Sequence, residues 1–179
     1  MKKKTKKEIK FKANLTGEIV TSNKKEAFEL YDKSRFGEKV ENKIHYFILE
    51  ALYLLEKKKI EVYEGKKRLS NTQFLEKVKK LEQNFWPRYR VFCDIRNKGY
   101  IIKTALKFGA DFRVYEKGIK PGQDHAKWLL FPTYEASSLT WQEFAGKTRV
   151  AHSTKKKLLI AIVDHEGDVT YYEISWLRP

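Results

Sequence analysis

Leu158-Leu159-Ile160-Ala161-Ile162-Val163 is an unbroken apolar run. Such a run is expected of a central strand buried on both faces, which places helices on either side of a sheet. Upstream of it, Thr140 with Glu143 three residues later forms the capping pattern of a helix that carries Trp141, Phe144 and Ala145. Downstream, a turn at His165-Glu166-Gly167 leads into a second strand, Val169–Ile174. Further back, short aromatic-rich strands are expected at Tyr100–Thr104, Phe112–Glu116 and Ala126–Pro132. Before them, Pro87 suits the first turn of a helix in which Val91, Phe92 and Ile95 share a face and Gly99 is the stop. The order helix, strands, helix, strands predicts an α/β C-terminal domain over residues 86–179, a mixed central sheet flanked by helices.

Residues 1–85 read as a separate α+β domain. Ile9–Leu15 and Glu18–Thr21 form two extended runs around Gly17, a hairpin pattern, and Asn23 with Glu26 starts a helix that Gly37 closes. Ile44, Phe47, Ile48, Ala51, Leu52 and Leu55 follow the i, i+3, i+4 rhythm of a second helix, with His45 at its start. Ile60 and Val62 alternate as a strand ending at Gly65. Ser70 with Gln73 then caps a third helix, whose apolar face is Phe74, Leu75, Val78 and Leu81.

The 179 residues carry 38 Lys+Arg against 23 Asp+Glu, a net charge of +15, which points to a polyanionic partner and to nucleic acid before membrane. Hydrophobic residues at 41% are enough for a core, so wholesale disorder is excluded. No apolar run approaches the ~18–20 residues of a membrane span. The lysine-rich start, Met1-Lys2-Lys3-Lys4-Thr5-Lys6-Lys7, has no apolar segment behind it and does not read as a secretory signal. With a single cysteine, Cys93, no internal disulfide forms, and a reducing, cytoplasmic compartment is expected.

Several chemistries lack their residues. Asp94, Asp111 and Glu116 are the candidate metal-binding carboxylates, but the Asp…Glu-x-Lys spacing of restriction-type nucleases is missing, so no metal and no cofactor is expected. There is no phosphate-binding Gly-rich loop with Lys-Ser/Thr and no Gly-x-Ser-x-Gly elbow. Cys93 sits mid-helix and reads as a packing residue. Among the histidines, His165 falls in a polar turn and His152 ends a helix, where a cation meets the dipole. His125 follows the loop Lys117-Gly118-Ile119-Lys120-Pro121-Gly122-Gln123-Asp124 and precedes an apolar strand, a common position for a catalytic group.

Tyr89-Arg90-Val91-Phe92-Cys93-Asp94-Ile95-Arg96, Gly99-Tyr100, Lys107-Phe108-Gly109-Ala110-Asp111-Phe112-Arg113-Val114-Tyr115 and Asp124-His125-Ala126 together form a recognisable series. With Arg149-Val150-Ala151-His152-Ser153-Thr154-Lys155-Lys156-Lys157, the series resembles the catalytic domain of the archaeal tRNA-splicing endonucleases. The resemblance runs from about Pro87 to the C-terminus. It implies a triad of Tyr, His and Lys, here Tyr115, His125 and Lys156, the lysine being chosen from a run of three by its place before the buried strand. It also implies Arg149 and Trp176 as a clamp on an extruded base.

These groups suit RNA cleavage, because a ribose 2′-hydroxyl is a tethered nucleophile beside the phosphodiester. A base, an acid and a cation then replace a metal. Tyr115 is expected to take the 2′-proton, His125 to serve the leaving 5′-oxygen and Lys156 to meet the charge growing on phosphorus. Since a free phenol ionises near ~10, Tyr115 needs a neighbouring cation. The expected products are a 2′,3′-cyclic phosphate and a 5′-hydroxyl. By resemblance the substrate is precursor tRNA, cut twice in a bulge-helix-bulge by a homotetramer. Val169–Ile174 and the acidic turn Asp164–Asp168 are the candidate interface elements. The alternative is a non-catalytic RNA-binding subunit or a general RNA-binding protein.

Overall fold

Strict alternation shapes the first strand, β1 (Phe11–Thr16): Phe11, Ala13 and Leu15 are buried while Lys12, Asn14 and Thr16 are exposed. The computed structural model describes residues 10–177, so Ile9 and the run Met1–Lys7 lie outside the described residues. Two units divide the chain between Gln83 and Asn84.

In the first unit, β1 pairs antiparallel with β2 (Ile19–Ser22) and parallel with a later strand, Ile60–Glu64. Between them come α1 (Lys25–Ser34), β3 (Glu38–Val40), β4 (Lys43–Phe47) and α2 (Ile48–Glu56). The parallel partner is β5, followed by β6 (Lys67–Arg68) and α3 (Asn71–Leu81). The sheet order is β3-β4-β2-β1-β5-β6. In α2 every residue except Glu56 is buried, which makes this helix the core of the unit. Burial, with the charge of Glu50 beside it, pushes the Tyr46 phenol well above its ordinary value.

Two expectations for this unit fail. The segment Lys43–Phe47 is a strand, not the start of the second helix: Ile44 and Tyr46 point inward, and His45 is a half-buried strand residue opposite Thr21. Ile44, Phe47 and Ile48 satisfy helical spacing while 44 and 46 satisfy strand alternation, and pairing with β2 and β3 decides between them. Helix α1 has Lys24 rather than Asn23 at its N-cap position, where the Lys24 carbonyl accepts the Ala27 N–H at 2.9 Å and no side chain caps the helix. It ends at Arg35 in the left-handed region, before Gly37.

The second unit is an α/β domain with a mixed sheet. It comprises α4 (Phe85–Asn97), β7 (Ile101–Ala105), a 3-10 turn (Leu106–Phe108), β8 (Ala110–Tyr115), β9 (Trp128–Tyr134), α5 (Trp141–Ser153), β10 (Lys157–Val163) and β11 (Val169–Ile174). The order is β11-β10-β9-β8-β7, and β9 with β10 is the parallel pair, joined through α5. Phe112 and Leu130 lie opposite each other on the face toward α4, where the Phe92 ring meets Phe112 at 6.2 Å. Leu129, Phe131 and Leu158 cluster with Ala151 of α5 on the other face. One helix therefore covers each face. Strand β10 is an interior strand, second from the edge, and Leu159, Ile160 and Ile162 are only half-buried, since its outer neighbour β11 is a largely exposed edge.

Helix α5 buries Ala151 alone, so a capping box worth about 1 kcal/mol matters more to it than to α2. That box is formed: Thr140 Oγ1 accepts the Glu143 N–H at 3.2 Å, and Glu143 accepts the Thr140 N–H at 2.8 Å. No helix among the described residues is long and apolar enough to cross a membrane.

Candidate active site

Tyr115 is the last residue of β8, and alternation sets it on the α5 side of the sheet with Arg113, away from Phe112 and Val114. The residue is 5% exposed. The chain then enters the loop 116–127, which closes on itself at its base. There Lys127 pairs with Glu116 and donates its backbone N–H to Val114 O at 3.0 Å. Inside the loop, Gly122 takes φ +92, a conformation other residues resist, and the turn is tied by Gln123 N–H to Lys120 O at 3.0 Å. Asp124 Oδ1 accepts the His125 N–H at 2.6 Å. His125 is exposed within this loop rather than at a strand entrance, because β9 begins at Trp128.

The three lysines after α5 differ in their surroundings. Lys155 occupies the left-handed region at φ +55 and donates to His152 O at 3.0 Å, while Lys156 N–H reaches Ala151 O at 2.9 Å. This is the Schellman pattern of a helix end, with a lysine where glycine is usual. It pins the Lys156 backbone. The half-buried Lys156 ammonium then donates to Thr154 O at 2.9 Å and sits 5.4 Å over the Phe108 ring. Lys157 opens β10 and pairs with Glu173, whose carboxyl it holds below the ordinary range, together with the indole N–H of Trp128. Lys155 is exposed.

Tyr115, His125 and Lys156 line one cavity of about 370 Å³, with Phe108, Arg113 and Asp124 among its other walls. Trp176 lines a smaller depression of about 170 Å³ with Thr148, His152 and Ile174, and Lys156 borders both. The His152 ring meets Trp176 edge-on at 4.5 Å. Arg149 is exposed on α5 and is in neither lining. Thus the three triad residues line one cavity, and the Trp176 indole has the His152 imidazole beside it. Arg113 and His152 are additions to the sequence reading. Strand alternation from Tyr115 contains the first, whereas nothing local announces the contact between the end of α5 and the segment after β11.

The carboxylates weighed for a metal have other partners. Asp94 accepts from Tyr171 Oη at 2.7 Å and pairs with Lys98, Asp111 pairs with Arg88, and Glu116 with Lys127. Burial pushes the Asp111 carboxyl up, with Arg88 and Lys147 pulling it back. Among the described residues no group of three or more His, Cys, Asp or Glu side chains is placed to hold a metal ion.

The turn Asp164–Asp168 is ordered. Asp168 N–H donates to Asp164 Oδ1 at 2.9 Å, and the Arg90 guanidinium donates from Nε and Nη2 to Gly167 O at 2.9 and 2.5 Å.

Residues 85–171 match the family model for the tRNA intron endonuclease catalytic C-terminal domain, and residues 11–75 match that for the tRNA intron endonuclease N-terminal domain. A tRNA-splicing endonuclease of Thermococcus gammatolerans is 40% identical over 165 residues, 92% of this chain and 96% of that one. The protein of that name from Nanoarchaeum equitans is 45% identical over 138 residues, covering 74% and 88%. Its counterpart in Methanothermobacter thermautotrophicus is 36% identical over 172 residues, covering 96% and 100%.

Proposed function

Because this chain belongs to the tRNA intron endonuclease family, we propose that it excises introns from precursor tRNA by cutting both boundaries of a bulge-helix-bulge. The observation that carries this reading is the shared cavity of Tyr115, His125 and Lys156. Unpaired bulge nucleotides can be splayed so that a 2′-hydroxyl lies in line with its own phosphodiester.

Tyr115 takes the 2′-proton, with Arg113 and Lys156 lining the same cavity. The 2′-oxygen attacks phosphorus, and His125 protonates the departing 5′-oxygen. Lys156 stabilises the charge that develops on the non-bridging oxygens, held in place by the helix end and the Thr154 carbonyl. The products are a 2′,3′-cyclic phosphate and a 5′-hydroxyl.

Trp176 stacks a flanking base beyond Lys156, with the exposed Arg149 as its cationic counterpart once RNA is bound. Two cuts at fixed separation call for more than one copy of the single triad. We assign a homotetramer, with β11 and the acidic turn Asp164–Asp168 as contact elements. The test is a bulged RNA with a 2′-deoxy sugar at one boundary: cleavage stops at that boundary and persists at the other. Equal cutting at both overturns the reading, and an all-ribose RNA left intact but bound makes the chain an RNA-binding protein.

A further inference from the structure

Arg113 stands in the wall of the same cavity and has no part in the three-residue chemistry above. It precedes Tyr115 by two residues on β8, so both side chains leave the same face of the sheet. Directly across from it on β7 is Lys103, itself only 7% exposed. Of the residues that line the cavity, Arg113 and Lys156 carry a permanent positive charge. Among the described lining residues Asp124 is the single carboxylate, and one of its oxygens is occupied by the His125 N–H. The cavity is thus furnished for an anion with more than one oxygen to hold.

Resting on the nuclease reading, we propose that Arg113 is a further catalytic residue whose guanidinium grips the non-bridging oxygens of the phosphodiester being cut. A guanidinium presents a planar fork that meets two oxygens at once, whereas the Lys156 ammonium is a point charge. The two cations divide the work. Arg113 fixes the phosphate so that the 2′-oxygen stays in line, and its hold tightens as those oxygens gain charge in the transition state. Packing of the sheet alone would use the stem of Arg113 and leave the charge without effect on RNA.

The test uses the full chain and one bulged RNA in two forms. All-ribose RNA is followed for cleavage at saturating enzyme, and RNA with 2′-deoxy sugars at both cuts is followed for equilibrium binding across a salt series. Arg113→Gln keeps a planar polar group without the charge. It is expected to slow cleavage by roughly 10²–10³-fold, the usual loss on deleting an oxyanion donor. The slope of log affinity against log salt should fall by about 0.7, one single-strand phosphate contact. Added guanidinium ion should restore part of the cleavage rate to Arg113→Ala. Three results overturn the proposal: a parental rate in Arg113→Gln, a parental salt slope, or loss of the thermal unfolding transition in both variants, which makes the residue structural. A parent chain that leaves the all-ribose RNA uncut overturns the nuclease reading instead, before any variant is compared.

Discussion

Replacing Gly167 by alanine perturbs the acidic turn at its tightest point. The glycine has φ +88, and a Cβ built there would stand 2.7 Å from Arg90 Nε and 2.9 Å from its Cζ and Nη2. Two costs follow. An L-residue in this backbone region is strained by roughly 1–2 kcal/mol. The guanidinium, being the flexible end of a long side chain, swings away and gives up its bonds to Gly167 O, which are worth about 1.5–3 kcal/mol for a charged donor. The sum is about 2.5–5 kcal/mol, or roughly 10–30 °C in the midpoint of a domain of ~100 residues. A double-mutant cycle by calorimetry separates the two. With Arg90→Ala already present, Gly167→Ala should cost only the backbone strain, a coupling of about 1.5–3 kcal/mol. Equal costs in both backgrounds would refute the Arg90 contact as the reason for glycine.

Further outcomes follow from the site and its supports. Tyr115→Phe, His125→Ala and Lys156→Ala should each lower the cleavage rate by ~10²–10⁴-fold while RNA binding survives. Lys155→Gly should leave the rate at saturating enzyme unchanged and raise stability by about 1 kcal/mol, read by chemical denaturation, since it relieves a left-handed lysine. Neutralising Asp164, Glu166 and Asp168 together should shift the light-scattering mass toward smaller species, and an unchanged mass removes the turn from the interface. The Glu143 carboxyl is held below its ordinary value by the Thr140 backbone N–H and then by the Thr140 hydroxyl. A carboxyl lowered by folding adds stability above its unfolded value and loses it as pH falls through its folded value. Carboxyl-carbon NMR should accordingly show Glu143 titrating at lower pH than an exposed glutamate, and partly returning in Thr140→Ala.

What the sequence made legible was local. The pairs Ser70/Gln73 and Thr140/Glu143 each carry their full capping signal within four residues, and both boxes form. The apolar run ending at Val163 is a strand, as it reads, but it lies second from the edge and is half-buried at Leu159, Ile160 and Ile162 rather than buried on both faces. The segment Lys43–Phe47 was ambiguous because two periodicities overlap there, and β3 was hidden because Glu38, Lys39 and Val40 are all exposed and show no apolar pattern. At the site, the resemblance named Tyr115, His125 and Lys156 from residues far apart in the chain. Neither composition nor spacing could place them around one cavity. The helix ending that pins the Lys156 backbone turns on a left-handed residue that is Lys155, where a glycine would have announced it. Trp176 meeting His152 is purely tertiary, so the pairing with Arg149 could not have been checked from sequence.

The ends left by the cut test the central claim most directly. A bulged precursor RNA is cleaved in excess chelator and the fragments are weighed by mass spectrometry. Attack by the neighbouring 2′-oxygen leaves a 2′,3′-cyclic phosphate on one fragment and a 5′-hydroxyl on the next. A 3′-hydroxyl facing a 5′-phosphate, or cleavage that returns only with added magnesium, would mean that water at a metal ion does the work assigned here to Tyr115, His125 and Lys156.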